Sequence, residues 1–445
     1  MNAPWIRILP GFLRDRLAGR HGLQAALGNS GWLFADKAVR MGGGLLVSIW
    51  IARYLGPGLF GKLSFALAFV ALFGPIASLG LDAIVVRELV RDPTQAEEIL
   101  GSAFFLKLAG ALLAVIAVLG AMLAFSPEDM TTRALVAIIA LGVLFQAADI
   151  ADLWFQSRVQ SRYTVLARNA AFSVLLAVKI ALLLLGADVI AFAWAASAEI
   201  ALAAVLLALA FRLKGKAWSS LRPRLARMRS LLAESWPLLL AGLTILVYMR
   251  IDQVMLAAML GEREVGVYSA AVRLSEMWYA IATVIVSSVM PSLTDAHARS
   301  EALYYQRLRQ LLALLARIAY LVAIPVSFLA GVLVQAIYGE AYASAGPVLA
   351  VHIWTGLFVF LSVGASPWII NERFTRLMIF QTSMGAVVNI LLNLYLIPRH
   401  GALGAAVATA VSQAISCWLS NLCLTDGRKL FWLQTQALAL GFRFR

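Results

Sequence analysis

Residues 235–291 hold two apolar runs joined by the short turn Leu260-Gly261-Glu262-Arg263-Glu264-Val265-Gly266. Runs of about 20 apolar residues fit a bilayer as helices, because each backbone polar group is then satisfied inside its own segment. Strands do not fit runs of this length. Arg250 and Asp252 lie inside the first run, Arg273 and Glu276 inside the second. Charge inside a span is costly and by default marks a site facing the protein interior.

The same pattern recurs along the chain. Twelve spans are predicted: 30–54, 60–82, 101–124, 133–154, 164–186, 189–211, 234–258, 267–290, 308–332, 345–368, 375–397 and 401–424. Of the 445 residues, 62% are hydrophobic and 13% charged, where a soluble domain is nearer half and a quarter. The predicted fold class is all-α, a polytopic membrane protein. Leu55-Gly56-x4-Gly61-x2-Ser64-x-Ala66 aligns without gaps with Leu260-Gly261-x4-Gly266-x2-Ser269-x-Ala271. Each copy joins the first two spans of a six-span half. Two such halves are a common transporter plan, with the site at their interface. The expected organisation is a basic amphipathic segment (1–29), a first lobe (30–211), a basic linker (212–233), a second lobe (234–424) and a tail (425–445).

Cations orient the chain. With those at span edges counted in the adjoining connection, 25 of the 37 lysines and arginines lie on the side of the termini and the 212–233 linker. Five lie opposite and seven within spans. This places both termini in the cytoplasm and requires an even number of spans. The net charge of +14 then reflects attraction to anionic headgroups, not to nucleic acid. Segment 1–29 lacks a continuous apolar core or cleavage site and reads as a helix lying on the inner leaflet, not a signal peptide. Cys417 and Cys423, six apart in the last span, face different ways and are not expected to pair. The four histidines show no metal-ligand spacing, and no cofactor is expected.

The charges within spans are the candidates for function. Arg40 lies near the middle of the first span, where it cannot snorkel, with Asp36 one turn below as a possible partner. Arg250, Asp252, Arg273 and Glu276 form a second cluster, and Lys179 with Glu199 a third, first read as a structural pair. Lys107 and Arg317 are expected to snorkel. Asp149 and Asp152 stand at the inner end of span 4, as gate or cap. Asn389 and Asn393 share one face of span 11, placed for bonds between helices or for sugar hydroxyls. Gly42-Gly43-Gly44, Gly74-Pro75, Pro237, Pro325 and Pro347 are expected breaks or hinges. No nucleotide loop or Ser-His-Asp arrangement is present, which speaks against ATP-driven work within this chain.

Four blocks carry a family resemblance. They are Ala52-Arg53-Tyr54-Leu55-Gly56-Pro57 with Phe60-Gly61, and Leu79-Gly80-Leu81-Asp82 with Arg87-Glu88. Then come Asp252-Gln253-Val254-Met255-Leu256 with Gly266-Val267-Tyr268-Ser269-Ala270-Ala271. The last runs Asn389-x3-Asn393-x3-Ile397-Pro398-x2-Gly401-x2-Gly404-Ala405-Ala406-x-Ala408-Thr409. With these, the chain resembles the polysaccharide-exporter family of the multidrug/oligosaccharidyl-lipid/polysaccharide superfamily, in particular O-antigen and exopolysaccharide flippases. The resemblance implies two six-helix lobes around a V-shaped cavity in the cytoplasmic membrane. It implies a cargo of undecaprenyl-pyrophosphate-linked oligosaccharide, moved from the inner to the outer leaflet. Its cationic cavity implies Arg40, Arg250 and Arg273 as pyrophosphate partners, with Asn389 and Asn393 beside them. Asp36, Asp252, Glu276 and Glu199 are left for coupling or gating, to H+ or Na+. Polymerase and chain-length proteins of the same pathway are expected partners. A drug or metabolite antiporter of the same superfamily is the nearest alternative, and would favour an acidic cavity. A membrane polymerase or acyltransferase would want a large external loop or an interfacial His/Asp pair, and neither is seen. A purely structural membrane partner is a third alternative.

Overall fold

A computed structural model describes residues 21–125, 129–215, 218–372, 374–423 and 425–441, with side chains from Arg40 on, a few positions aside. The chain is helical, with no strand among the described residues. Ten helical stretches are long and apolar enough to cross a bilayer. Two of them contain a glycine whose backbone is not helical: Gly56 (φ 68°, ψ 172°) in Gly42–Arg91 and Gly401 (φ 58°, ψ −139°) in Leu377–Leu422. Each glycine divides its stretch into two helices, so ten stretches make twelve crossings. Only glycine adopts such conformations without strain. The N-terminal segment 1–20 and the side chain of Asp36 lie outside the described residues.

The expected breaks are only partly the observed ones. The Gly42-Gly43-Gly44 run stays helical, inside His21–Leu72. Gly43 and Gly44 lie against the ring of Phe172, so their lack of side chains serves packing. Pro237 and Pro325 sit inside unbroken helices, and Pro347 lies in the first turn of Ala345–His352. The chain does break at Gly74-Pro75, where a five-residue helix, Gly74–Ser78, starts. Two further breaks had no sequence signal, one after Glu276 and one after His352. The second frees the His352 carbonyl, which accepts from Ser275 Oγ (3.2 Å) and Thr355 Oγ1 (2.7 Å), as membrane breaks require.

The chain falls into two compact units. Among the described residues, the first comprises 21–48 and 73–243. Its core joins Leu81, Ile99, Leu100, Ile150, Phe155 and Phe211, all nearly inaccessible. Buried charges here are paired. Lys107 does not snorkel: it is 4% exposed and its Nζ lies 2.6 Å from Asp82. Asp152 accepts from Thr164 (2.7 Å) and Arg168 (3.0 Å), tying the fourth and fifth spans. The basic linker is clasped by carboxylates of the protein itself. Arg224 and Arg227 bond to Glu98, Arg227 also pairs with Glu88, and the Arg222 N–H donates to the Glu97 carbonyl (3.1 Å).

The second unit comprises, among the described residues, 49–72 and 244–441. Helix 57–72, which belongs to the first half of the sequence, therefore packs within the second unit. The core of this unit gathers Leu308, Leu312, Leu315, Phe360, Leu361 and Trp368. The tail is no loose end: Arg428–Gly441 is a helix that buries Leu430, Leu433 and Ala437 in that core. A buried amide chain holds it, with Gln381 donating to Asn421 (2.7 Å) and Asn421 to Gln434 (2.9 Å). Trp418 stacks on Phe431 at 5.5 Å.

Candidate functional site

The two copies of the glycine repeat meet inside the second unit. Gly56 and Gly261 turn the chain with nearly the same backbone angles, 68°/172° and 88°/174°. Five residues on, Gly61 and Gly266 let the two following helices touch backbone to backbone. A Cβ on Gly61 would overlap the Glu262 carbonyl, and one on Gly266 would overlap the Pro57 carbonyl. Residues 57 and 61 correspond to 262 and 266 in the repeat, so the contact is reciprocal, as across a two-fold axis.

Beside this contact lies a cavity of about 180 Å³. Ser64, Leu67, Ala68 and Ala71 line it from the first copy; Ser269, Val272, Arg273 and Glu276 line it from the second. These are the same four repeat positions, each 205 residues apart. Arg250 and Gln253, from the preceding span, complete the wall. The backbone is symmetric but the charge is not, since Arg273 and Glu276 stand where the first copy has Ala68 and Ala71. The Arg273 guanidinium sits over the Phe60 ring, 5.2 Å from its centre. With two guanidiniums and one carboxylate, the wall carries an excess positive charge. Planar guanidiniums suit phosphoryl or carboxylate oxygens.

Asp252 belongs to a different place. At 100° per residue it faces away from Arg250, two positions earlier. It is 3% exposed and accepts three hydrogen bonds, from Asn393 Nδ2 (2.5 Å), Tyr268 OH (2.7 Å) and Thr409 Oγ1 (2.6 Å). Asn393 also donates to Asn389 Oδ1 (3.0 Å), and Asn389 to Ser412 Oγ (3.4 Å). Asn389 and Asn393 are fully buried in this network and are not among the residues lining the cavity. All three donors to Asp252 are neutral. Low local dielectric strengthens such bonds and makes a lost partner costly.

In the first unit, Glu199 lies between two cations. Its carboxylate is 2.7 Å from Lys179 Nζ and 3.7 Å from Arg40 Nη2. Lys179 and Glu199 are each 19% exposed and Arg40 36%. Arg40 also rests on the Phe172 ring at 5.5 Å. The structure thus joins the first and fifth spans to Glu199 of the sixth, and Arg40 has a partner the sequence did not indicate. Ser64, Ser269, Gln253, Tyr268 and Thr409 were also missed. The two serines carried a signal, because they are the one polar pair of the repeat; the others stood in the resemblance blocks with no role attached to them. Among the described residues no cluster of His, Cys, Asp and Glu is suited to hold a metal ion.

The profile of the family described as "Polysaccharide biosynthesis protein" matches residues 26–297, more than half of the chain. A probable flippase of Haloferax volcanii is 27% identical over 181 residues, 39% of this chain and 37% of its own. A probable low-salt glycan biosynthesis flippase of the same organism is 25% identical over 223 residues, 48% and 46%. The chain thus spans less than half the length of each. Among solved structures, an inward-facing multidrug resistance MATE family transporter of the MOP superfamily superposes with a TM-score of 0.65. Identity is 15%, over 91% of this chain and 96% of that one. The lipid II flippase MurJ, in an inward closed conformation, also gives 0.65, at 12% identity over 94% and 92%. These two likenesses establish the fold. With the glycine repeat, twelve crossings and matched profile in agreement, the chain belongs to the polysaccharide biosynthesis protein family.

Proposed function

We propose that this protein is a flippase. It carries an undecaprenyl-pyrophosphate-linked oligosaccharide from the inner to the outer leaflet of the cytoplasmic membrane by alternating access, for O-antigen or exopolysaccharide synthesis. The observation that carries the reading is the cavity at the repeat seam, where Arg250 and Arg273 outweigh Glu276. A diphosphate has the charge and oxygen geometry that two guanidiniums recognise. The names of the two Haloferax relatives support the same reading. Coupling to H+ or Na+ is assigned to Asp252, a buried carboxylate whose three donors are neutral. A monovalent cation arriving there would compensate its charge. Glu199 holds Arg40 and Lys179 between transport steps. Both termini are cytoplasmic, following the cation bias, and polymerase and chain-length proteins receive the product.

The test is a deletion strain. Lipid-linked repeat units should accumulate on the inner leaflet with their synthesis intact, and Arg250→Ala with Arg273→Ala should fail to restore export. If no repeat units are made, an enzymatic role replaces this one. Glu276 supports a second reading, an organic-cation antiporter. In that case Glu276→Gln would abolish drug efflux, and lipid-linked intermediates would not accumulate.

A further inference from the structure

Most buried serines of this chain are satisfied in one way. Ser197 donates to the Ile138 carbonyl, Ser275 to His352, Ser412 to Thr409, Ser416 to Gln381 and Ser420 to Ser416. Ser64 and Ser269 break that habit. Each is 3% exposed, each lines the cavity, and neither hydroxyl has a hydrogen-bond partner among the described residues. They occupy the same position in the two copies of the repeat, three residues after Gly61 and Gly266. The reciprocal glycine contact therefore sets the spacing of both.

We infer that Ser64 and Ser269 are a symmetry-related pair of donors to phosphoryl oxygens, completing with Arg250 and Arg273 a subsite for a diphosphate group. A buried hydroxyl without a partner is unfavourable, and here the deficit occurs twice at equivalent places. Both hydroxyls sit in a cavity with net positive charge, so the missing partner is an anion's acceptor oxygen, not a cation. A hydroxyl rotates freely to donate, whereas the guanidinium forks are planar and fixed. Two hydroxyls on facing helices can thus hold oxygens that the forks leave open. Ala68 and Ala71 keep the opposing wall short, leaving room for the group beside Arg273 and Glu276. The inference rests on the flippase reading for its lipid source but not for its chemistry, which inorganic pyrophosphate shares.

The experiment uses purified full-length protein in detergent. Binding of inorganic pyrophosphate and of geranyl pyrophosphate is measured by calorimetry for wild type, Ser64→Ala, Ser269→Ala, the double variant and Ser269→Thr. Each alanine should weaken binding about tenfold or more, as loss of a hydrogen bond to a charged group does. Ser269→Thr, which keeps the hydroxyl, should retain most of the affinity. The ligand-free melting temperature should stay the same or rise in the alanine variants, because the removed group had no partner. A loss seen with geranyl pyrophosphate alone assigns the subsite to the lipid carrier; a loss seen with both probes assigns it to the diphosphate itself. Unchanged affinity in the double variant, a lower melting temperature without ligand, or no binding of either probe to wild type would each overturn the inference. Export in the deletion strain separates it from the flippase reading. Serine-dependent binding without export sinks the flippase alone, and normal export by the double variant sinks the serine pair alone.

Discussion

Asp252→Leu and Asp252→Asn should separate the structural from the electrostatic role of one buried carboxylate. Leucine has the same branching, though it is bulkier, and removes the acceptor of three donors, Asn393, Tyr268 and Thr409. An orphaned buried donor costs about 1–3 kcal/mol. Two of the three have an alternative: the Thr409 hydroxyl can turn to the Ala405 carbonyl at 2.9 Å, and Tyr268 OH can donate to Thr409 Oγ1 at 3.1 Å. The expected loss is therefore about 2–4 kcal/mol, set mainly by Asn393. Asparagine keeps one oxygen for Tyr268 and Thr409, while its new NH2 group meets Asn393. The Asn393 Oδ1 is buried and has no partner among the described residues, so rotating that amide turns the clash into a bond. The rotation breaks the bond to Asn389, for a net cost of about 1 kcal/mol, partly offset because no charge remains buried. The assay is thermal unfolding of detergent-purified protein at one scan rate, since large membrane proteins unfold irreversibly. At roughly 2 °C per kcal/mol, Asp252→Leu should melt about 4–8 °C below wild type and Asp252→Asn within about 2 °C. Both should lose ion-driven export. Equal melting temperatures would refute the hydrogen-bond reasoning, and normal export by Asp252→Asn would refute the coupling role.

Three further outcomes are expected. Gly61→Ala and Gly266→Ala each place a Cβ against a backbone carbonyl and should destabilise by about 1–3 kcal/mol. Because the contact is shared, the double variant should cost less than the sum; strict additivity in a melting series would show the two glycines to be independent. Glu199→Ala strands two half-buried cations and should cost about 1–3 kcal/mol, between the values for exposed and buried pairs. Lys179→Met in the same chain should recover part of the melting temperature, and no recovery would mean the pair contributes nothing. Arg273→Lys keeps the charge but loses the planar fork and should retain partial pyrophosphate binding, while Arg273→Ala should lose it. Wild-type binding by Arg273→Lys would show that charge alone suffices, and undiminished binding by Arg273→Ala would show that this guanidinium takes no part.

Much of this protein follows from properties that act within one turn of chain. Apolar run length set the crossings, and Gly56 and Gly261 of the repeat marked two of their reversals, because a bilayer demands internally satisfied helices and only glycine takes those backbone angles freely. The gapless repeat likewise foretold two hairpins of one conformation. Which side chains meet was not decided there. Sequence proximity grouped Asp252 with Arg250, yet rotation along the helix separates them, one to a buried network and one to the cavity wall. Asn389 and Asn393 could serve sugars or neighbouring helices, the second being the commoner use, and packing places them in bonds to Asp252 and Ser412. Arg40 found Glu199 some 160 residues away, a distance over which no local pattern operates. Helix 57–72 joined the second unit although its sequence belongs to the first half. The physical reason is the same in each case. Hydropathy and backbone preference are local, whereas the partner of a buried polar group depends on the register of helices against one another, which long-range packing alone sets.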